Sequence, residues 1–544
     1  MTLSQVSRRA ASIVLSLLVL QAVVSKCDSV LFESTEYTTG LLGDGPSQSY
    51  YSSEYTPPAW NFLVPHDPAR TTPGYIFMSP RGASAAQYGA VIYDQDGHMI
   101  WYGNDYGEAM SFQVATYLGE PHILIWSGNW REIGIGYGHN LVLNRAYEVV
   151  ANYTTDLDGE TGRTLADFHD TQITSDNTGL VVAYQEKAMD LTRFNGPSSG
   201  WILDGVAQEV NITSGQALWT WKASEHVDFS DCGGLNEGDG LAPENAWDFF
   251  HINSVEKDGD GNFLISARHC AVYYISGTDG HVIWSLGGNN PSFEMEGGTH
   301  FSFQHDARWI SKDENKGRMS LFDNAGIPGF HNADYARGLI IELDFESRKA
   351  TLVQEYLPWN RAVSESQGSA QVQPNGNVLV GWGQEPWLAE YAQSGELVWT
   401  AQFGVSNVQS YRALRYNWTG LPNTAPSLEV LRGKTSLISA YASWNGATEI
   451  SRWEVLGATS EDGEGMVSLY NRTKRGFETT ITVGGSHLEN YSHFAVRAID
   501  RQNQSLGQST FMRPSNGVLK VMGSGRVGMA VLVLGMGWIL QMVS

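Results

Sequence analysis

The chain has few charged residues, and most of them are acidic. Asp, Glu, Lys and Arg make up 17% of its 544 residues, against a usual share of about 25%. This deficit argues against a coiled coil and against a charged disordered chain. Lys and Arg number 34 against 58 Asp and Glu, which gives a formal net charge of −24 at pH 7. We therefore expect neither nucleic acid nor an anionic membrane surface as a partner.

Cysteine is also scarce, with three residues in the whole chain. Cys232 and Cys270 are candidates for a disulfide, which leaves Cys27 near the start of the mature chain. Spacing alone does not decide whether the two pair. No two cysteines are adjacent, and this argues against a quinoprotein dehydrogenase, a class whose repeats also end in Gly-x-x-x-Trp.

Glycine and aromatic residues, in contrast, are abundant. The chain has 59 Gly, 18 Trp and 24 Tyr, and 42% of its residues are hydrophobic. Glycine supplies turns, aromatic residues favour strands, and the apolar share is ample for a large core. The composition therefore predicts an all-β protein, and the length allows about two to four domains.

Long hydrophobic runs occur at the two ends of the chain. At the N-terminus, Arg8 and Arg9 precede an apolar run from Ala10 to Val24. This layout predicts a secretory signal over residues 1–25. A signal anchor that stays in the membrane is the alternative, although the run is short for a span.

At the C-terminus, the small residues from Ser515 to Gly517 precede a spacer and a hydrophobic tail from Val527 to Val543. We interpret residues 514–544 as a GPI-attachment signal. A plain transmembrane segment is the alternative. Either anchor attaches the protein to a membrane through its C-terminus, with its body outside the cell or at the cell surface.

Asn-x-Ser/Thr sequons agree with passage through the secretory pathway. They begin at Asn152, Asn211, Asn417, Asn471, Asn490 and Asn503. We predict glycosylation at these positions.

A short motif recurs along the body of the chain, in which Gly is followed after three residues by Trp. Its copies end the segments Asp96–Trp101, Ser214–Trp219, Asp279–Trp284 and Ser394–Trp399. Each copy follows an alternating strand, and one tryptophan per group of strands is typical of a β-propeller. We predict a six-bladed β-propeller over residues 61–420.

The sequence on either side of this region differs from it in strand pattern and composition. Residues 421–513 have short alternating strands, such as Leu437–Tyr441 and Phe494–Ala498, which predict an immunoglobulin-like or fibronectin-like β-sandwich. Residues 35–56 are rich in Ser, Tyr and Gly, and we expect the N-terminal segment 26–60 that contains them to be loose.

Three histidines have similar neighbours. They are His169 in Asp-Phe-His-Asp, His251 in Phe-Phe-His-Ile-Asn and His305 in Phe-Gln-His-Asp-Ala-Arg. Each is predicted to open a strand, and their separations fit one blade or slightly more. Because the innermost strands of a propeller line one channel, we expect the three imidazoles to meet at one mouth of it.

Two more polar residues belong with the histidines. Asn253 follows His251 by two, so on a regular strand the two side chains share a face. Arg268 ends the hairpin partner of the same strand. Three imidazoles, an amide and a guanidinium at one place form an anion site.

Two other interpretations of the histidines stay open. Each is by itself more often a structural, hydrogen-bonded residue than a catalytic one. Imidazole is also a common metal ligand, but Arg268 next to the cluster repels a cation. We therefore expect neither a metal nor an organic cofactor.

In these motifs the sequence resembles the arylsulfotransferase family, and most closely its fungal-type secreted branch. The similar segments lie within residues 70–410 and include Phe250–Val255, Ser266–His269, Trp284–Gly288, Gln304–Arg308 and Leu321–Ala325. The resemblance implies a six-bladed propeller that moves a sulfuryl group from a phenolic sulfate ester to a phenol. No nucleotide sulfate donor takes part in that reaction.

The resemblance also implies roles for the residues singled out above. His305 matches the nucleophile, which is transiently sulfated. His251, Asn253 and Arg268 match the group that holds the sulfuryl oxygens, and His169 matches the earlier histidine by order and spacing. The sandwich and the C-terminal anchor depart from the bacterial pattern of the family, which leaves its oligomeric state and substrates open for this chain.

These residue types suit sulfuryl transfer on chemical grounds. Negative charge spreads over three oxygens in a loose transition state, as in phosphoryl transfer, and a guanidinium with neutral donors stabilises it. Asp306 or another acceptor is expected to set the tautomer of His305, and His169 or His251 to protonate the departing phenolate.

The substrates implied are a small aromatic sulfate donor and a phenolic acceptor. The candidates for contacting them are Arg308, Trp309 and Trp247, with Phe249 nearby, although the aromatic residues also suit a blade core. Two alternative functions remain. One is a hydrolase, in which water replaces the phenol. The other is a non-catalytic surface protein that binds a glycan, an anionic ligand or a partner protein.

Overall fold

The computed structural model describes residues 31–131, 134–157, 164–233, 239–433 and 437–516. The predicted signal at residues 1–25, Cys27 and most of the predicted anchor at residues 514–544 lie outside these ranges. In the described ranges, neither α-helix is long and apolar enough to cross a membrane. The predicted all-β class is confirmed, because strands make up nearly all of the regular structure.

The helices are single turns. They are α1 (Thr35–Thr38) and α2 (Ala223–His226), with short 3₁₀ turns at Asn104–Tyr106, Thr192–Phe194, Phe229–Asp231, Pro243–Asn245 and Ser486–Asn490. The first thirteen strands are β1 (Leu31–Phe32), β2 (Asn61–Val64), β3 (Tyr75–Met78), β4 (Ala90–Tyr93), β5 (Met99–Gly103), β6 (Met110–Tyr117), β7 (Glu120–Trp130), β8 (Gly136–Leu143), β9 (Val149–Tyr153), β10 (Thr171–Ile173), β11 (Thr178–Met189), β12 (Gly200–Asn211) and β13 (Ala217–Lys222).

The next strands are β14 (Ile252–Lys257), β15 (Phe263–Ala267), β16 (Val272–Ile275), β17 (Val282–Leu286), β18 (Glu294–Met295), β19 (His305–Lys312), β20 (Lys316–Asp323), β21 (Gly326–Ile327), β22 (Phe330–His331), β23 (Arg337–Asp344), β24 (Lys349–Tyr356), β25 (Ser369–Val372), β26 (Val378–Gly381), β27 (Trp387–Tyr391), β28 (Leu397–Gln402) and β29 (Ala413–Tyr416). The last are β30 (Ser427–Arg432), β31 (Leu437–Ser443), β32 (Arg452–Ala458), β33 (Val467–Thr473), β34 (Thr479–Gly484), β35 (His493–Ile499), β36 (Ser505–Gln508) and β37 (Ser515–Asn516).

Most strands up to β29 belong to six antiparallel sheets. Their orders are β29-β3-β4-β5, β6-β7-β8-β9, β10-β11-β12-β13, β14-β15-β16-β17, β19-β20-β23-β24 and β25-β26-β27-β28. We number these sheets one to six. Sheet five gains β18 beside β24, and sheet six gains β2 and then β1 beside β28. Strands from opposite ends of the region thus join in sheets one and six, which links its beginning to its end.

The first strand of each sheet lies toward a common centre. The strands β29, β6, β10, β14, β19 and β25 contact one another in this cyclic order, and β25 contacts β29. The hydrophobic core lies between neighbouring sheets, as in the cluster where Leu264 and Trp284 of sheet four pack with Met319 and Leu339 of sheet five. Residues that begin the first strands of different sheets therefore come together.

The recurring Gly-x-x-x-Trp motif has one structural position in four sheets. Its tryptophans lie on β5, β13, β17 and β28, which are the fourth strands of sheets one, three, four and six. The motif glycine makes the preceding turn in the left-handed region, with φ of +82° at Gly97 and +76° at Gly280. A side chain is strained in that conformation, which explains why glycine recurs there.

The last eight strands form two further sheets with one shared core. The orders are β34-β31-β30-β37 and β33-β32-β35-β36. Alternate residues of both sheets meet inside, such as Ile438 and Ile481 from one and Trp453 and Val496 from the other.

The N-terminal segment is ordered from Leu31 onward, so the expectation of a loose segment over residues 26–60 is wrong for its described part. Tyr37 and Trp60 are fully buried. Glu478, next to β34, accepts hydrogen bonds from the backbone N–H groups of Tyr51 and Ser52 at 3.1 and 2.5 Å. The segment thus packs against both the six sheets and the last two.

Cys232 and Cys270 form a disulfide, as was considered from the sequence. It joins the turn after Phe229–Asp231 to the loop after β15, two residues beyond Arg268. Of the sequon asparagines, five are exposed and Asn211 is half-buried, so none lies in the core. Glycosylation at them stays a prediction.

Candidate active site

The three histidines lie at the beginnings of the first strands of sheets three, four and five. His169 precedes β10, His251 precedes β14, and His305 is the first residue of β19. Each is 2–3% exposed. The Nε2 atoms of His169 and His251 are 3.1 Å apart, so two imidazoles that are distant in sequence share a hydrogen bond.

A carboxylate orients each ring of this pair. Asp167 bonds Nδ1 of His169, and Asp248 Oδ2 lies 2.5 Å from Nδ1 of His251. Both Nδ1 atoms therefore carry a proton, and the Nε2 atoms face each other with one proton between them. We assign the ring protons of His169 and His251 from these hydrogen-bond partners. The pair is a proton donor or acceptor stabilised by two buried carboxylates.

His305 has different partners from the pair. Its Nδ1 donates to Asn324 Oδ1 at 2.7 Å, while Asn324 Nδ2 donates to the carbonyls of Ser364 and Gln367 at 2.8 and 3.0 Å. Because those two contacts fix which atom of the Asn324 amide is oxygen, the proton of the imidazole is on Nδ1. Nε2 keeps its lone pair and accepts the Gln367 N–H at 3.3 Å.

The surroundings of His305 favour the neutral ring. Burial lowers the pKa of His305 well below its usual value, and the nearby Arg268 guanidinium lowers it further. A neutral imidazole with an unprotonated ring nitrogen is the reactive form for attack on sulfur. Asp306 was one expected acceptor for the second nitrogen, but Asn324 occupies that position and Asp306 bonds Arg308 at 2.9 Å instead.

Arg268 and Asn253 flank the imidazoles. Arg268 Nη2 donates to the carbonyl of Glu365 at 3.1 Å, which holds its guanidinium at the end of β15. Asn253 Nδ2 donates to the carbonyl of Gln304 at 2.6 Å, directly before His305. Asn253 Oδ1 is buried and has no hydrogen-bond partner among the described residues.

The arrangement of His251 and Asn253 differs from a regular strand. His251 has a left-handed backbone, with φ of +59°, and the pairing of β14 with β15 shifts between Ile252 and Ser254. The simple alternation used to place Asn253 on the face of His251 therefore does not hold here. Left-handed residues other than glycine cost energy and concentrate at functional sites.

The three histidines, Asn253 and Arg268 form what we call the histidine cluster. Tyr411 completes it and was missed by the sequence interpretation. Its ring lies edge-on to His169 and His305, with centroid distances of 5.5 and 6.2 Å. Its hydroxyl is buried without a hydrogen-bond partner among the described residues. Burial raises the pKa of this phenol, which keeps its proton in place. Only its position just before β29, the first strand of sheet one, connects it with the histidines.

A buried layer of charges lies next to the cluster. Asp170 accepts from Arg308 at 2.8 Å, from Arg412 at 2.7 Å and from the N–H of Val255 at 2.8 Å. Burial alone raises the pKa of Asp170, but Arg308 and Arg412 bring it below its usual value. Asp170, Asp306 and Arg412 each follow a residue of the cluster in sequence, so this layer fixes the backbone that carries the cluster.

Three residues predicted to contact substrate lie elsewhere. Trp247 is 1% exposed and packs between Phe194, Phe229 and Phe249 in the core, so it offers no face to a phenol. Arg308 and Trp309 line a separate cavity of about 440 Å³, whose described lining contains no histidine. Substrate contact by these residues therefore stays a prediction, and the burial of Trp247 in the core does not favour it.

One group of side chains has the composition of a metal site. Potential ligand atoms of Asp248, His251 and His269 lie within 4.8 Å of one another. However, the Nη1 atom of Arg268 lies 3.5 Å from Nε2 of His269, and Nδ1 of His269 bonds the Asp248 carbonyl at 2.7 Å. The positive guanidinium opposes a cation at this place and favours an anion.

Comparisons with known proteins agree with the motifs. The model of the arylsulfotransferase (ASST) family matches residues 113–404, slightly more than half of the chain. This range includes His169, His251, Asn253, Arg268 and His305. No curated protein matches the chain significantly.

Solved structures similar to this chain are distant. A protein of unknown function from Bacteroides caccae is 13% identical, and the alignment covers 63% of this chain and 99% of that one with a TM-score of 0.36. AztD from Citrobacter koseri is 11% identical, with coverages of 63% and 99% and a TM-score of 0.27. The GH43 protein BlXynB from Bacillus licheniformis is 10% identical, with coverages of 74% and 89% and a TM-score of 0.28.

Proposed function

The chain belongs to the arylsulfotransferase family, and from this premise we propose that it transfers a sulfuryl group from a phenolic sulfate ester to a phenol through a sulfated histidine. The donor is an aryl sulfate rather than a nucleotide sulfate. The observation that carries the proposal is His305, a buried neutral imidazole whose unprotonated Nε2 accepts the Gln367 N–H at 3.3 Å and lies beside Arg268 and the His169–His251 pair.

In the first step, His305 Nε2 attacks sulfur. The N–S bond forms as the S–O bond to the aryl group breaks, and the departing phenolate takes a proton from the His169–His251 pair. Asp167 and Asp248 have stabilised that proton on the pair. The products are a sulfated His305 and a free phenol.

In the second step, an acceptor phenol replaces the first one. The deprotonated His169–His251 pair removes its proton, the phenol oxygen attacks sulfur, and the N–S bond breaks. His305 returns to its neutral form and the pair regains its proton. One group of residues thus serves as acid in the first step and base in the second.

Charge on the sulfuryl oxygens is balanced by fixed donors. Arg268 supplies a forked positive group, and Asn253 uses only one of its two amide N–H groups within the described protein. The Tyr411 hydroxyl, which lacks a partner in the described residues, is a further donor at the same place. Donors held in position before the reaction act without reorganisation.

The fold and setting belong to the same proposal. The cyclic contacts of six first strands support a six-bladed β-propeller over residues 61–420, and two sheets around one core support an immunoglobulin-like or fibronectin-like sandwich over residues 421–513. We propose that the enzyme works outside the cell or at its surface, where the predicted signal and C-terminal anchor direct it.

The test is turnover of 4-nitrophenyl sulfate by the secreted chain 26–514, with and without an added phenol. We expect nitrophenolate release that increases with phenol and is lost in His305→Ala. A sulfated His305 is expected in a rapidly quenched reaction analysed by mass spectrometry. His281, which is exposed on a turn, gives a matched control, and His281→Ala is expected to keep full activity.

Each other outcome has a clear meaning. Release that ignores the phenol identifies a hydrolase. Release that survives in His305→Ala excludes this histidine as the nucleophile. No release from folded protein over a broad panel of aryl sulfates overturns the enzymatic proposal and leaves a non-catalytic surface protein.

A further inference from the structure

Arg81 and Trp130 form a cationic and aromatic pair that connects with the histidine cluster through intervening residues. The guanidinium carbon of Arg81 lies 4.4 Å from the centroid of the Trp130 ring. Trp130, the last residue of β7, is 39% exposed, whereas the Arg81 side chain is only 11% exposed. One face of an accessible indole is thus covered by a largely buried positive charge.

Two chains of contacts, each with two intervening residues, connect Arg81 with the imidazoles. The backbones of Arg81 and Gln409 pair through N–H···O bonds of 2.9 Å in both directions. Gln409 Oε1 then accepts from Gln367 Nε2 at 2.7 Å, and the backbone N–H of Gln367 donates to His305 Nε2.

The second chain runs through side chains. Arg81 Nη1 contacts Met110 Sδ at 3.5 Å, and Met110 packs in one cluster with Phe168 and Tyr411. Tyr411 in turn contacts His169 and His305. Two side chains, Met110 and Tyr411, therefore connect Arg81 with the rings that are proposed to act on sulfur.

The charge of Arg81 is poorly matched by the described protein. Glu108 Oε2 lies 3.9 Å from Arg81 Nε, which is beyond hydrogen-bond distance, and the thioether of Met110 is a weak acceptor. Burial lowers the pKa of Arg81, with Glu108 and Tyr88 opposing that effect. A guanidinium that is desolvated and keeps unused donors is suited to a carboxylate or sulfate, which it binds with two parallel hydrogen bonds.

We propose that Arg81 and Trp130 determine specificity for aryl sulfates and phenols that carry a second anionic group across the ring. This inference rests on the proposed sulfuryl transfer. The reacting oxygen lies at the histidine cluster, the aromatic ring extends past Tyr411, and the distal carboxylate or sulfate meets the forked donors of Arg81. Trp130 holds the guanidinium in place and shields it from water.

The experiment compares two donors of the same shape, 4-carboxyphenyl sulfate and 4-carbamoylphenyl sulfate. The wild-type kcat/KM is expected to favour the carboxylate by roughly 10-fold to 100-fold, the usual strength of a hydrogen-bonded charge contact. Arg81→Gln is expected to bring the ratio close to unity while retaining turnover of the amide. Arg81→Lys keeps the charge without the fork, so it is expected to keep part of the preference.

Two further variants control the result. Glu108→Gln removes the one carboxylate near Arg81 among the described residues and is expected to increase the preference for the carboxylate donor. Arg193 also stands over an aromatic ring, 5.9 Å from the centroid of Phe194, but outside the cluster. Arg193→Gln is expected to leave the ratio unchanged. Melting temperatures within a few degrees of the wild type establish that each variant is folded.

The outcomes separate this inference from the proposed function. Turnover of both donors with equal kcat/KM, or a preference that survives in Arg81→Gln, overturns the specificity role and leaves sulfuryl transfer standing. If neither donor turns over, the proposed function fails, and calorimetric titration with 4-hydroxybenzoate and 4-hydroxybenzamide decides the inference. Selective binding of the carboxylate that is lost in Arg81→Gln supports it, and equal or absent binding of both overturns it.

Discussion

Tyr411 is a residue whose effects on activity and stability are expected to have opposite signs. Its hydroxyl is buried without a partner in the described residues, so Tyr411→Phe removes a polar group that costs about 1–3 kcal/mol to bury unpaired. We expect stability to stay equal or to increase by about 1 kcal/mol. If the hydroxyl donates to the sulfuryl group, kcat falls by roughly 100-fold.

The matched control is Tyr184, whose hydroxyl donates to the Ile252 carbonyl at 2.8 Å. Tyr184→Phe leaves that carbonyl unsatisfied and is expected to lower stability by about 1–2 kcal/mol. Urea unfolding and steady-state kinetics measure both variants. A stability loss in Tyr411→Phe with unchanged kcat contradicts the role proposed for this hydroxyl.

Glu256 makes stability depend on pH. Burial raises the pKa of this carboxyl to about 7, although Arg308 and the N–H of Trp309 oppose the effect and Asp170 and Asp306 add to it. The folded state therefore keeps a proton that the unfolded chain releases near its ordinary pKa. Stability falls as pH rises from that ordinary value to about 7.

Glu256→Gln removes this dependence, because the amide does not ionise. We expect the variant to gain stability relative to the wild type above pH 7, on the order of 2 kcal/mol, and to gain little at pH 4. Unfolding free energies measured in urea between pH 4 and 8 give the comparison. A difference between the two proteins that is constant over this range excludes a raised pKa at Glu256.

The sequence was sufficient to predict which histidines belong together. His169, His251 and His305 have similar neighbours and blade-like spacing, and these reflect their equivalent positions at the starts of first strands. The partners of these histidines were harder to predict. Asn324 follows β20, which pairs with the strand of His305, and it lies in the segment Leu321–Ala325 that the resemblance includes, but its role as the partner of His305 was not inferred. Tyr411 precedes β29 of sheet one and has no distinctive sequence pattern, so only the closed ring of strands brings it to the imidazoles.

Among the elements, the loop after β15 carries Arg268 and is held by the disulfide. Cys270 follows Arg268 by two residues, and its partner Cys232 lies 38 residues earlier. A cross-link closing a loop of this size contributes about 3–4 kcal/mol. We expect the double variant Cys232→Ser and Cys270→Ser to lose stability of about this size and to lose activity as Arg268 becomes mobile.

Thermal unfolding and kcat with and without reductant measure this effect. Cys27 lies outside the described residues and serves as the control, since Cys27→Ser is expected to behave as the wild type. If reduction lowers the melting temperature but leaves kcat unchanged, the disulfide stabilises the fold without positioning Arg268.

Element prediction worked where local chemistry and periodicity agree. The Gly-x-x-x-Trp copies marked the fourth strands, because a left-handed turn needs glycine and the following strand buries its tryptophan fully in three copies and partly at Trp219. It did not reach the surroundings of Trp247, Arg308 and Trp309, whose neighbours come from other elements and whose contact with substrate stays a prediction. An aromatic residue near a histidine in sequence points into the core or the site depending on strand irregularities such as the shift at Ile252.

On the scale of the whole molecule, the N-terminal segment joins the six sheets to the last two. Tyr51 stacks on Tyr441 of β31 at 4.1 Å between centroids, and Ser52 lies 2.7 Å from Ser443 between hydroxyls. Composition rich in Ser, Tyr and Gly suggested a loose tail. Tyr51 and Ser52 instead contact residues of the last two sheets, and composition alone does not predict such long-range contacts.

Glu478 is the centre of this junction. Its carboxylate is 2% exposed and accepts from the N–H groups of Tyr51 and Ser52 and from the Ser52 hydroxyl. Glu478→Gln keeps the shape but replaces one oxygen by a donor that faces N–H groups. Losing these charge-assisted bonds is expected to cost about 2–3 kcal/mol.

This loss is expected to separate the two parts of the molecule thermally. Scanning calorimetry of Glu478→Gln should show the last two sheets unfolding before the six sheets, whereas the wild type unfolds in one transition. Activity at room temperature should stay within about twofold, since Glu478 contacts none of the residues of the histidine cluster among its described partners. Glu454, on β32 and paired with Arg497 at 3.1 Å within the last sheets, gives the control. If Glu454→Gln and Glu478→Gln lower one common transition equally, the N-terminal segment does not couple the two parts.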